Sequence, residues 1–191
     1  MTENVVIIGA SHAGVSCAEQ LRHLGFFGAI TLIDRQFGMP LERPPLSKSF
    51  LVSEEADDYK FLLRRPEWYE KFQVTMIDGI AVTQIDPAAH QLQLADGQTM
   101  AYGKLVLATG AVPRQLQQAA GLGGVHVLRN PDDAAALRNA MQTKTAAVVI
   151  GGGYIGLEAA ASFAKAGLEV HVIEAADRLL ARVASPDLSA F

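Results

Sequence analysis

The sequence predicts an α/β protein made of two doubly wound parallel-sheet units in series, the second incomplete at its C-terminus. Three observations carry that expectation. Residues 5–34, VVIIGASHAGVSCAEQLRHLGFFGAITLID, read as an apolar strand, a glycine-containing turn, a helix and a second strand ending in an acid. Residues 147–174, AVVIGGGYIGLEAAASFAKAGLEVHVIE, repeat the plan. Beyond Glu174 the tail AADRLLARVASPDLSAF offers one Ser-Pro-Asp helix start with few residues after it, so most of a second doubly wound sheet is still to be built.

Taken in order, residues 5–9 are a continuous apolar run, the pattern of a strand buried on both faces of a parallel sheet. The turn after it opens a helix to about Leu24, and AITLID returns as the next strand. Residues 35–58 lack clean periodicity, and Pro40, Pro44 and Pro45 break any helix there. This stretch is read as a long functional loop capped by a short helix from SKSF. RPEWYEKF is a short helix opened by Pro66. GIAVTQID, HQLQLADGQTM and KLVLATG are strands, hinged on turn residues such as ADG. NPDDAAALRNAM starts with N-cap residues and continues as a helix, after which TAAVVI begins the second unit. The expected organisation is a first domain over 1–113, a connecting segment with a helix over 114–143, and the opening of a second domain over 144–191.

Composition narrows the function classes. Half of the 191 residues are hydrophobic and the formal net charge is −4, so the chain can bury a core and has no general attraction to nucleic acid or an acidic membrane. The N-terminal apolar run falls far short of the ~20 residues a membrane span needs and has no basic residues before it, so a cytoplasmic protein is expected. Cys17 is the single cysteine, which excludes a disulfide, a redox-active pair or a thiolate-held cluster built from this chain alone. Redox work here would need a borrowed cofactor.

In a dinucleotide-binding turn the first glycine makes the bend, the second lets the backbone approach the pyrophosphate, and the third lets helix pack on strand. Gly151, Gly153 and Gly156 meet all three needs directly after a strand, and Glu174 follows 18 residues beyond the third. That acid suits the ribose hydroxyls of NADH and would repel a 2′-phosphate, with Arg178 nearby leaving NADPH open. The first copy reads Gly9, Ser11 and Gly14, with Asp34 20 residues on. Serine is small enough for the turn, and the spacing of the acid supports the assignment. Both units are therefore expected to be Rossmann-like dinucleotide-binding domains. His12 in the turn reads as a solvent-facing side chain and Cys17 as a small buried helix residue.

Two such units, the LERPPLSKSF loop and the LATGAVPR strand end together resemble the flavin-dependent pyridine-nucleotide oxidoreductases. More narrowly, they resemble the ferredoxin reductases of bacterial oxygenase systems, over essentially all 191 residues. The resemblance implies FAD contacts from Gly9, Ala13, Gly14, Asp34, Arg43, Lys48, Val82 and Arg129, with Ser11 in the turn and Ala108, Thr109 and Gly110 at the strand end. It assigns NADH, and less readily NADPH, to Gly151, Gly153, Tyr154, Ile155, Gly156 and Glu174. It also implies a catalytic pair, Lys48 beside the flavin N5 and Glu158 bound to it, so that the pair links the two domains. A lysine there stabilises negative charge as the flavin is reduced, and the carboxylate lowers the cost of burying it. From the residues alone, Lys48 equally suits a helix-end cation and Glu158 an ordinary helix acid.

The implied reaction passes hydride from NADH to FAD and then single electrons to a [2Fe–2S] ferredoxin or rubredoxin that feeds an oxygenase. A non-catalytic nucleotide-binding remnant and an NADH oxidase or apoptosis-inducing-factor-like flavoprotein are the alternatives. The lone cysteine argues against flavin-to-disulfide chemistry. Since that family continues well past the equivalent of Phe191, the chain is expected to be the N-terminal half of a longer protein.

Overall fold

The computed structural model describes residues 3–53 and 58–190. In chain order the elements are β1 (Asn4–Ile8), α1 (His12–His23), β2 (Ala29–Ile33), a 3₁₀ turn (Pro44–Ser47), α2 (Ser49–Val52) and a second 3₁₀ turn (Asp58–Phe61). There follow α3 (Pro66–Lys71), β3 (Val74–Ile77), β4 (Val82–Asp86), β5 (Gln91–Leu94), β6 (Thr99–Ala101) and β7 (Lys104–Leu107). A third 3₁₀ turn (Gln117–Ala119), α4 (Pro131–Met141), β8 (Ala146–Ile150), α5 (Tyr154–Lys165), β9 (Glu169–Ile173) and α6 (Pro186–Ala190) complete it. The chain divides into two compact units, Met1–Glu42 with Asp58–Ala111, and Arg43–Asp57 with Val112–Phe191.

The first unit is a four-stranded parallel sheet in the order β3-β2-β1-β7, with an antiparallel meander β4-β5-β6. The apolar run of β1 is explained by its two faces. Val5 and Ile7 pack with Val15 and Ala18 of α1 and Tyr69 of α3. Val6 and Ile8 pack with Leu92 and Leu94 of β5 and with Tyr102. Each face is thus covered by a different layer, and none of Val5–Ile8 can be polar without losing burial.

Two local readings change. VTMI forms β3, which pairs with β2 through Ile30↔Val74 to Ile33↔Ile77, where the sequence pattern predicts no strand. Its four residues alternate weakly, so only pairing to β2 defines it. Pro44 and Pro45 do not break the helical turn but open it: they occupy the first positions of a 3₁₀ turn, where a missing N–H leaves no bond unmade.

In the second unit β8 and β9 pair in parallel, from Ala146↔Glu169 to Ile150↔Ile173. One face of the pair, through Ala147, Val149 and Val170, packs with Ala159 and Phe163 of α5, Leu137 and Met141 of α4, and Leu51 of α2. α4 is set by its ends: Asn130 and Asp133 form a reciprocal capping box and Pro131 fills the first helical position.

Candidate functional site

The first unit carries one glycine turn. Gly9 has φ +105°, and a Cβ there would overlap the carbonyl of Ala108 at the end of β7. Gly14 is excluded from bearing a Cβ by the carbonyl of Gly9, which brings α1 down onto the end of β1. The backbone N–H of Ala10 donates to Asp34 Oδ2 at 2.7 Å, and Gln36 N–H donates to Oδ1 at 2.9 Å. Asp34 is therefore fixed across the turn from the strand beside it. Ala13 lies in the first turn of α1, Thr109 and Gly110 follow Ala108, and Val82 starts β4 shortly after Ile80, whose N–H donates to the Asp34 carbonyl.

The second unit repeats this geometry. Gly151 has φ +109°, and a Cβ on Gly156 would overlap the Gly151 carbonyl. Gly152 N–H donates to Glu174 Oε2 at 2.6 Å and Ala176 N–H to Oε1 at 2.8 Å. The Ala176 and Gly152 donors, in that order, with Arg182 adding its charge, hold the Glu174 carboxyl below the usual glutamate range. Tyr154 and Ile155 begin α5 with exposed side chains.

Ser11 and Gly153 share one backbone conformation. Ser11 has φ −88° and ψ −167°, and Gly153 has φ −84° and ψ −179°. This extended backbone suits any residue, so the glycine is not demanded by the chain itself. A Cβ on Gly153 would meet nothing within 4 Å, which leaves an open cradle at the helix N-terminus, where backbone donors suit a phosphate. Arg178 is directed elsewhere: its guanidinium donates to the carbonyls of Ser185 and Ala181 and to Ser189 Oγ.

Arg43, Lys48 and Arg129 belong to the second compact unit, together with Glu158. Lys48 Nζ stands 2.9 Å from Glu158 Oε1, while Ser47 Oγ donates to Oε2 at 2.6 Å. Ser47 first and Lys48 second hold the Glu158 carboxyl below its ordinary range, against the opposing effect of burial. Arg43 donates to the carbonyl of Arg129, whose N–H donates to Asp133 at 2.8 Å. Sequence reasoning passed over Ser47, Ser162 and the amides of Ala10 and Gly152. The acid spacing was the available signal for the two amides, and nothing in the pattern marked the serines.

The sequence pattern described as pyridine nucleotide-disulphide oxidoreductase matches residues 3–191. The chain is 44% identical over 189 residues to a ferredoxin–NAD(P)(+) reductase of a Sphingomonas species, covering 98% of this chain and 45% of that protein. It is 42% identical over 189 residues to rhodocoxin reductase of Rhodococcus erythropolis, covering 98% and 44% respectively. The reductase in the covalent putidaredoxin reductase–putidaredoxin complex superposes with a TM-score of 0.91 at 39% identity, over 98% of this chain and 46% of that one. The chain spans less than half the length of these relatives. The matched residues 3–191 include both glycine turns and their acids, and the chain belongs to the pyridine nucleotide-disulphide oxidoreductase family.

Proposed function

We propose that this chain supplies the FAD-binding and NADH-binding segments of an NADH:ferredoxin oxidoreductase acting in the cytoplasm, where NADH is the available reductant. The observation that carries the reading is the duplicated turn in which a glycine at positive φ, an extended residue and a backbone-held acid recur in both units. Two such sites suit two dinucleotides. Gly9, Ser11 and Gly14 with Asp34, Ala13, Val82, Ala108, Thr109 and Gly110 would hold FAD, and Arg43, Lys48 and Arg129 are further proposed FAD contacts. Gly151, Gly153 and Gly156 with Tyr154, Ile155 and Glu174 would hold NADH. Bound FAD supplies the conversion between two-electron and one-electron transfer. The chain's own part is to bind, to orient and to place the Lys48 charge.

NADH is favoured over NADPH because the Glu174 carboxylate would repel a 2′-phosphate while Arg178 is already bonded to the tail. The electron acceptor is a [2Fe–2S] ferredoxin or rubredoxin, supported by the names of the relatives. The lone Cys17 provides no dithiol for disulfide chemistry within these residues.

Absorbance spectroscopy of the purified chain tests this. A flavin band bleached by NADH more effectively than by NADPH, and restored by an oxidised ferredoxin, is expected. A correctly folded chain that takes up no flavin would contradict the reading.

A further inference from the structure

We propose that Ser47 and Ser162 are positioning residues for the Lys48–Glu158 pair, acting as a clamp that holds the lysine-bearing segment on one face of α5. Glu158 and Ser162 lie one helical turn apart and project from the same side. Both reach Ser47. Its Oγ donates to Glu158 Oε2 at 2.6 Å, and its carbonyl accepts from Ser162 Oγ at 2.7 Å. One residue is thus held by side chain and main chain at once, immediately before Lys48.

The burial of the partners decides which interaction sets the geometry. The side chains of Lys48 and Glu158 are 52% and 32% exposed, and an ion pair in that setting contributes little by itself. Ser47 and Ser162 are only 5% and 8% exposed. A buried hydroxyl needs its hydrogen bond, so these bonds are costly to break and fix what they join. The two carboxylate oxygens are divided between the donors, Oε2 to Ser47 and Oε1 to Lys48. With Oε2 held, rotation of the carboxylate away from the lysine would break a charge-assisted bond. The segment is anchored on both sides: Lys48 N–H donates to the Pro45 carbonyl, Leu51 packs on Ala159 and Phe163, and Arg138 lies over the Phe50 ring.

The structural clamp stands on these contacts alone, whereas its effect on flavin chemistry rests on the proposed function. A carbon-13 NMR titration of the 191-residue chain, labelled at glutamate side-chain carboxyls and assigned with Glu158→Gln, separates the two. Glu158 titrates below the ordinary glutamate range in the unaltered chain, and Lys48 is the charged neighbour acting on it among the described residues. Ser47→Ala is expected to raise the midpoint. Ser162→Ala, which removes no donor from the carboxylate, is expected to raise it as well by releasing the Ser47 main chain, and Ser162→Thr to restore it. A Ser162→Ala midpoint equal to that of the unaltered chain overturns the clamp, as does a threonine variant that behaves like alanine. Ser47→Cys, a weak donor of similar volume, provides the same reading if Ser47→Ala does not fold. In the FAD-loaded chain, Ser162→Ala is expected to shift the pH dependence of the flavin band. A chain that binds no FAD removes the proposed function and leaves the titration as the test of the clamp.

Discussion

Tyr69 shows how a single buried group fixes a pH limit. Its ring is 6% exposed in the core beneath the parallel sheet, and its hydroxyl has no hydrogen-bond partner among the described residues. Burial disfavours the charged phenolate and pushes its pKa up to about 12, with the Arg64 charge opposing. In the unfolded chain the phenol ionises near its ordinary value of 10.0, so the unfolded state loses its proton first and stability falls as pH rises from 10 toward 12. Tyr69→Phe removes that loss, and it also removes an unpaired hydroxyl, for a gain at neutral pH of up to about 1 kcal/mol. Denaturation followed by the fluorescence of Trp68, the only tryptophan, reports directly on this region. A phenylalanine variant that keeps the alkaline loss of the unaltered chain would refute the assignment to Tyr69.

At the scale of elements, the joints are held by one arginine. Arg22, in the last turn of α1, donates to the carbonyls of Phe26 and Gly28 in the turn to β2 and to those of Phe72 and Gln73 between α3 and β3. The planar guanidinium can serve four acceptors, whereas an ammonium cannot span them. Arg22→Met and Arg22→Lys are both expected to destabilise the first unit by about 2–4 kcal/mol, measured as the denaturation midpoint of Trp68 fluorescence. A lysine variant as stable as the unaltered chain would remove this account. The same joint explains what was legible in the sequence. β1, α1, β2, β8, α5 and β9 follow from apolar runs and glycine spacing, which are local signals. β3 exists because β2 and the α3 joint hold it in register, and nothing within Val74–Ile77 announces that. Resemblance marks Lys48 and Glu158, whereas no local pattern marks Ser47 and Ser162, because a serine's importance lies in its burial and partners.

Across the whole molecule, the duplicated units share a strand pattern but not its covering. Val6 and Ile8 of β1 are 1% and 9% exposed because the meander packs on their face. The corresponding Val148 and Ile150 of β8 are 59% and 64% exposed, and Ile173, opposite Ile150 on β9, is 56% exposed. Leu92, Leu94 and Tyr102 do for the first unit what no described residue does for this face of the second. Contiguous exposed apolar side chains on a sheet face favour association, and fully burying a valine or isoleucine contributes about 1.5–3 kcal/mol. The 191-residue chain is therefore expected to self-associate with rising concentration. Val148→Lys combined with Ile150→Thr should raise the association midpoint at least about 10-fold while leaving Trp68 unfolding unchanged, because neither residue belongs to the Ala147–Val149–Phe163 core. Sedimentation velocity across a concentration series decides it. Equal association of the double variant and the unaltered chain would show that another surface holds the copies together.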